Sequence, residues 1–232
     1  MHLSIQPAIS VDVGKLSTGS AKLDRLLDGG FEPSTITLLY GEGGSGKTNM
    51  CMLAARNSAL AGNRTVYIDT EGVSMERLKQ ICGTDFESIS RNILFSTPFD
   101  FHEQTKLIEK GIRLLEIKGN VGLIIVDSLT MLFRSYRVEE LEDRKELSDQ
   151  LTMLLAAARR SDIPVIITSQ VYTNIEKGIF EPLGGHVLNH TAKTIIFIQK
   201  TENGMRRATL MKHRYLKESE SVEFRITSTG IE

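Results

Sequence analysis

Short unbroken apolar runs alternate with longer amphipathic ones along most of this chain. The run TITLLY (35–40) has strand character and is followed by a glycine-rich turn. Residues 47–62 (KTNMCMLAARNSALAG) then have helical composition and stop at Gly62. The order repeats: RTVYID (64–69) reads as a strand, MERLKQIC (75–82) as a short helix and NILFS (92–96) as a strand. In HEQTKLIEKGIRLLEIKG (102–119), Leu107, Gly111, Leu114 and Leu115 are spaced along one helical face. VGLIIVD (121–127) is apolar without alternation, as expected of a strand covered on both faces. A helix from about Leu141 to Arg160 leads into the strand PVIITSQ (164–170).

This alternation of strands and helices predicts an α/β fold, a mostly parallel twisted sheet flanked by helices. After Lys193 the texture changes to three strand-like runs, KTIIFIQK, RRATLMKH and SVEFRIT, with short connections. The first two are joined through TENGM, and Asn-Gly between strands is a hairpin signal. The expectation is a C-terminal antiparallel extension of the same sheet, with MKHR ending its middle strand. No repeat, low-complexity tract or linker interrupts the chain, so residues 1–232 read as one domain with a short leader at 1–12.

The turn after the first strand carries the chemistry. GEGGSGKT (41–48) fits G-x-x-x-x-G-K-[ST] and lies between an expected strand and an expected helix. Gly41, Glu42, Gly43, Gly44, Ser45 and Gly46 would turn their backbone N–H groups inward around phosphates, helped by the positive end of the helix. Lys47 would reach the β- and γ-phosphates, and the Thr48 hydroxyl would ligate Mg²⁺, so ATP and Mg²⁺ are the expected cofactors. Asp127 ends a buried strand, where an acid is costly unless it faces a site, and is the second expected Mg²⁺ ligand. Capping the following segment is a lesser role that does not exclude the first. Glu71 and Gln170 also fall at strand carboxyl ends, where hydrolysis needs a group to activate water and a group to register the γ-phosphate.

The segment GKLSTGSAKLDRLLDGGFEPSTITLLYGEGGSGKT resembles the entry to the ATPase core of the RecA/RadA recombinase family. YIDTEG, LIIVDSL, ITSQV and PLGGHVLNHTAKTIIFIQK continue the likeness in order, from Val13 to the C-terminus. The resemblance implies a RecA-like P-loop NTPase core and a DNA repair and recombination role. By length the chain is similar to core-only paralogues, which implies an accessory or mediator with weak ATPase activity rather than a strand-exchange protein. By this resemblance Glu71 is the water-activating glutamate, Gln170 links γ-phosphate to the DNA loops, and Arg77 lies against adenine. Arg134 and Arg137 fall in the first DNA loop, Lys177 and Phe180 in the second, cations for phosphate and an aromatic for stacking. The implied partners are DNA, single-stranded by preference, the cell's main recombinase RadA and a junction-processing nuclease.

Three departures qualify the likeness. No separate N-terminal DNA-binding domain is expected ahead of the core. None of the nine Phe residues is followed by Ala three positions later, so self-association through a Phe-x-x-Ala peptide is not expected. Ser169 stands where the family has Asn. Lys212 and Arg214 alternate on an expected strand and therefore share a face, with His213 opposite. In cores that assemble side by side, cations here reach the neighbour's γ-phosphate as a trans-acting finger; an exposed strand or a basic patch with Arg206 and Arg207 is the alternative.

Composition narrows the partners. Lys and Arg total 28 against 29 Asp and Glu, a formal charge of -1, so DNA contacts must come from local clusters. Cys51 and Cys82 are too few for a disulfide framework and lack metal spacing. His186 and His190 are four apart but have no further ligand at suitable spacing. With no signal peptide and no apolar span of bilayer length, a cytoplasmic protein without membrane contact is expected. Two other readings share this core: a ring-forming signalling ATPase or kinase of the circadian-clock type, and a partner-binding module switched by ATP without hydrolysis.

Overall fold

The computed structural model describes residues 14–117, 120–135, 141–174 and 179–232. Helix α1 (Ala21–Leu26) precedes β1 (Ile36–Gly41), α2 (Lys47–Leu60), β2 (Arg64–Asp69), α3 (Met75–Cys82), α4 (Phe86–Ser90) and β3 (Ile93–Ser96). Then come α5 (Phe101–Glu116), β4 (Val121–Asp127), α6 (Met131–Ser135), α7 (Leu141–Ser161) and β5 (Val165–Ser169). The pair β6 (Val171–Asn174) and β7 (Ile179–Pro182) leads to α8 (Gly185–Thr191), β8 (Thr194–Lys200), β9 (Arg206–Lys212) and β10 (Ser221–Phe224). Two short strands, β11 (Ile226–Thr227) and β12 (Gly230–Ile231), close the chain's C-terminal end.

The main sheet has eight strands in the order β10-β9-β8-β1-β5-β4-β2-β3. Its inner strands are apolar on both faces because helices cover both. Leu39, Leu123, Ile125 and Ile166 point into one layer with α1, α2, α3 and α4. Leu38, Tyr40, Ile124, Val126 and Ile167 point into the other with α5, α7 and α8. The period of two thus distributes each strand between two cores.

The C-terminal strands form the expected antiparallel extension, β9 pairing antiparallel with β8 and β10 with β9. On its other edge β8 runs parallel to β1, pairing Thr37 with Thr194 through Gly41 with Ile198. The reason is the connection: β8 is entered from α8, and a helical crossover delivers a parallel strand. The β8–β9 turn does use Asn203 and Gly204 at φ 56° and 71°. SVEFRIT is not one strand, since β10 ends at Phe224 and β11 begins at Ile226.

Two local features fix the second helical layer. Asp100 accepts a hydrogen bond from Glu103 N at 2.7 Å, while Glu103 accepts from Phe99 N at 2.8 Å, a reciprocal cap for α5. Buried Gln104 donates to Leu129 O at 3.0 Å and to Gln150 Oε1 at 2.8 Å, tying α5 to α7 and to the chain just beyond β4.

Gly111 lets α5 settle on β2, because a Cβ there would stand 2.8 Å from Val66 Cγ1. Gly111→Ala gains about 1 kcal/mol of helix propensity. Overpacking costs about 1–3 kcal/mol, so the variant is expected to lower the urea unfolding midpoint. In a Val66→Ala background the same change should raise it; equal effects in both backgrounds would show that the contact does not set the helix position.

Candidate functional site

The carboxyl ends of β1, β2, β4 and β5 converge on one rim, and the sequence-expected residues stand there. At Gly41 the chain leaves β1 so close to β8 that a Cβ would fall 2.0 Å from Ile198 O. Gly46 caps α2 at φ 116°, in the left-handed region that a side chain would strain. Between them Lys47 is buried, and its ammonium donates to Gly41 O at 2.8 Å and Glu42 O at 3.1 Å. Burial pushes its pKa down, opposed by Glu71 and Asp127. The Ser45 hydroxyl is buried in the same loop without a hydrogen-bond partner among the described residues.

Asp127, at the end of β4, is 1% exposed. Its Oδ2 accepts from Tyr67 OH at 2.8 Å and its Oδ1 from Thr168 Oγ1 at 2.6 Å. Burial raises its pKa, while hydrogen bonds from Thr168, Tyr67 and Thr48 hold it down. The two expected Mg²⁺ ligands, Thr48 and Asp127, are thus neighbours. Glu71 and Gln170 also meet: Gln170 Nε2 donates to Glu71 Oε1 at 3.1 Å. Charge, acceptor oxygens and a polarisable amide are concentrated on a rim that can take a polyphosphate and a cation.

Three supporting residues escaped the sequence reading. Tyr67 and Thr168 satisfy Asp127 from the two strands that flank β4. Asp69 is buried and accepts from the backbone N–H groups of Glu71, Gly72 and Val73 at 3.2, 2.9 and 2.6 Å. The available signal was position: Asp69 ends β2 as Asp127 ends β4, and the two pair directly.

Other expected residues lie elsewhere. Arg77, on α3, donates to Asn49 Oδ1 at 2.7 Å and to Ser228 O at 3.1 Å, bridging α2 to the C-terminal segment. Phe180 on β7 is 39% exposed, its ring 6.1 Å from Phe197, which stacks on Tyr40 at 4.9 Å. Arg137, Lys177 and the Arg134 side chain lie outside the described residues. Ser169 bonds Thr130 at 3.0 Å and Leu183 O at 3.1 Å, filling its position as an internal clasp. His186 and His190 stack at 5.9 Å, and among the described residues no group of three metal-ligating side chains occurs.

The MKHR segment departs from its expected geometry. Strand β9 ends at Lys212, so Arg214 lies beyond it and no strand alternation relates the two. Lys212 donates to Asn189 O at 2.6 Å and Ala192 O at 2.8 Å, at the carboxyl end of α8. Arg214 donates to buried Glu32 at 3.0 Å. Both cations are therefore engaged in their own chain, and either would have to leave its partner to reach a neighbour. His213 is buried, its Nδ1 accepting from Tyr215 N and Leu216 N at 3.4 and 3.2 Å.

The fold and its phosphate-loop rim define a RecA-like P-loop core. Residues 10–232 match the Rad51 family. The DNA repair and recombination protein RadB of Methanococcoides burtonii is 41% identical over 94% of this chain and 97% of its own. That of Archaeoglobus fulgidus is 42% identical, with the same coverage. A solved structure, described as the crystal structure of the RadB recombinase, superposes with a TM-score of 0.81 at 37% identity. It covers 93% of this chain and 98% of that one. The chain belongs to the Rad51 family, in its archaeal RadB group.

Burial lowers the His213 pKa below 6.5, with Glu32 and Asp28 opposing and Lys15 and Arg214 reinforcing. A depressed folded-state value means that the unfolded chain binds the proton first, so stability is full above 6.5 and falls as pH drops. His213→Asn keeps an acceptor for the two N–H groups but cannot titrate. Its unfolding midpoint is expected to fall less than wild type between about pH 7 and pH 5. Parallel curves for the two proteins would remove His213 as the source.

Proposed function

We infer that this protein is a DNA repair and recombination factor that binds ATP, hydrolyses it weakly, and assists the main recombinase RadA rather than exchanging strands itself. The observation that carries the reading is the convergence of Lys47, Thr48, Asp127, Glu71 and Gln170 on one rim of the sheet. The residues fit a nucleotide: among the described residues the loop's buried ammonium bonds only carbonyls, and the buried Ser45 hydroxyl lacks a partner. A triphosphate supplies the anion that this cation lacks. Relatives that bear the words DNA repair and recombination in their names support the biological half.

In this reading the N–H groups of residues 41–48 and the Lys47 ammonium would hold the phosphates, and Thr48 and Asp127 would hold Mg²⁺. Mg²⁺, when bound, would neutralise charge on the phosphate oxygens. Glu71 accepts a proton from the attacking water through an exposed carboxylate. The Gln170 amide, now bonded to Glu71, exchanges that carboxylate for phosphate oxygen and so reports nucleotide state to β6 and β7. Arg77 lines the adenine side. Arg134, Arg137 and Lys177 supply DNA phosphate contacts, with Phe180 stacking on a base.

The test is ATPase activity with and without single-stranded DNA. Wild type should hydrolyse ATP slowly, and Glu71→Gln should lose about 100-fold in rate while binding ATP within about threefold of wild type. Lys47→Ala should abolish binding. DNA affinity should fall steeply with salt. Wild type that binds no DNA at low ionic strength would refute the DNA half, and a stable ATP-dependent ring without DNA affinity would favour a signalling ATPase.

A further inference from the structure

The turn that carries Glu71 has no regular structure of its own, yet a general base must be held at hydrogen-bond distance from its water, to within about 0.5 Å of the productive position. What holds it is visible in the hydrogen bonds of residues 69–73. Asp69 closes β2 with a carboxylate only 7% exposed in the residue as a whole. Oδ1 accepts from Glu71 N at 3.2 Å and Gly72 N at 2.9 Å, and Oδ2 accepts from Val73 N at 2.6 Å. Three successive N–H groups are thus gathered by one side chain, which bends the backbone around the residue between strand and helix.

A second set of bonds fastens the same turn from outside. Thr70 N donates to Asp127 O at 2.8 Å. The Thr70 hydroxyl accepts from Ser128 N at 2.8 Å and donates to Ser128 O at 2.9 Å. The Glu71 turn is therefore stapled to the chain that carries Asp127, and its side chain emerges where Gln170 meets it.

We propose that Asp69 is a positioning residue: it fixes the Glu71 turn against the end of β4 and so sets the distance between the water-activating carboxylate and the cation-binding carboxylate. The proposal rests on the reading of Glu71 as the general base. An alternative use for a buried acid beside Asp127 is a further metal ligand. The geometry favours positioning, since both Asp69 oxygens are already taken by backbone donors, whereas the Asp127 oxygens face side-chain hydroxyls that can turn away. Charge serves the role too, because a carboxylate holds backbone N–H groups more strongly than a neutral amide does.

Asp69→Asn keeps the shape but turns one acceptor oxygen into a donor that faces an N–H group. We expect the maximal ATPase rate to fall about 10- to 100-fold while ATP affinity stays within about threefold. Combined with Glu71→Gln it should add no further loss, because both act through one group. Without nucleotide, hydrogen exchange at the amides of Glu71, Gly72 and Val73 should quicken about tenfold. Half-saturation by Mn²⁺ in the presence of ATP should stay at the wild-type concentration. Cooperative unfolding confirms the fold; if Asp69→Asn does not fold, Thr70→Val, which removes the outer staple, must show the same pattern more weakly. Hydrolysis by Asp69→Asn at the wild-type rate would overturn the proposal alone. So would a raised Mn²⁺ requirement like that of Asp127→Asn, which would make Asp69 a ligand. Wild type that binds ATP without hydrolysing it would overturn the general-base reading and this proposal with it.

Discussion

A carboxylate almost out of reach of water at the end of β4 is the constraint around which the rest is arranged. An isolated charge in that position is costly enough that the chain must surround it with donors or protonate it. Tyr67 comes from β2, Thr168 from β5 and Thr48 from the start of α2, so three separate segments are brought to one atom group. Satisfying Asp127 therefore also aligns the strand ends, seats the phosphate loop beside them and leaves Glu71 and Gln170 in contact across the rim. The donors hold the charged form within reach although burial works against it.

Close packing supports this arrangement from below. Gly41 passes within contact of the β8 backbone, and Gly111 admits Val66 against α5. Neither position tolerates a larger residue without movement, so the loop and the sheet share one geometry. The parallel pairing of β8 with β1 matters for the same reason: it brings the carboxyl end of another strand up beside the phosphate loop.

Much of this was legible in the residues because the signals are local. Unbroken apolar runs such as VGLIIVD mark strands covered on both faces, and GEGGSGKT between a strand and a helix has one strong physical meaning. Relations between segments were harder to read. That KTIIFIQK pairs in parallel with β1 on its other edge follows from α8, a helix of seven residues with too little periodicity to announce itself. Arg214 looked like half of an alternating pair, but alternation ends where the strand ends, and Glu32, the buried acid that claims it, is distant in sequence. Asp69, Tyr67 and Thr168 are residue types found everywhere in soluble proteins, and only the sheet order shows that they meet around Asp127 and Glu71. Arg137, Lys177 and the Arg134 side chain lie outside the described residues, so the sequence alone speaks for them.

The amide rung between Gln104 and Gln150 gives α7 a mechanical character. Apolar helices can slide against each other in small increments at little cost, since one methyl contact replaces another. Here a shift along the axis would strip a buried amide of the bond that also reaches Leu129, beside the end of β4. Intermediate positions are therefore penalised, and α5 and α7 translate or tilt together. Moving α7 along its axis means either carrying α5 with it or breaking a buried amide hydrogen bond just beyond Asp127, a latch rather than a slide.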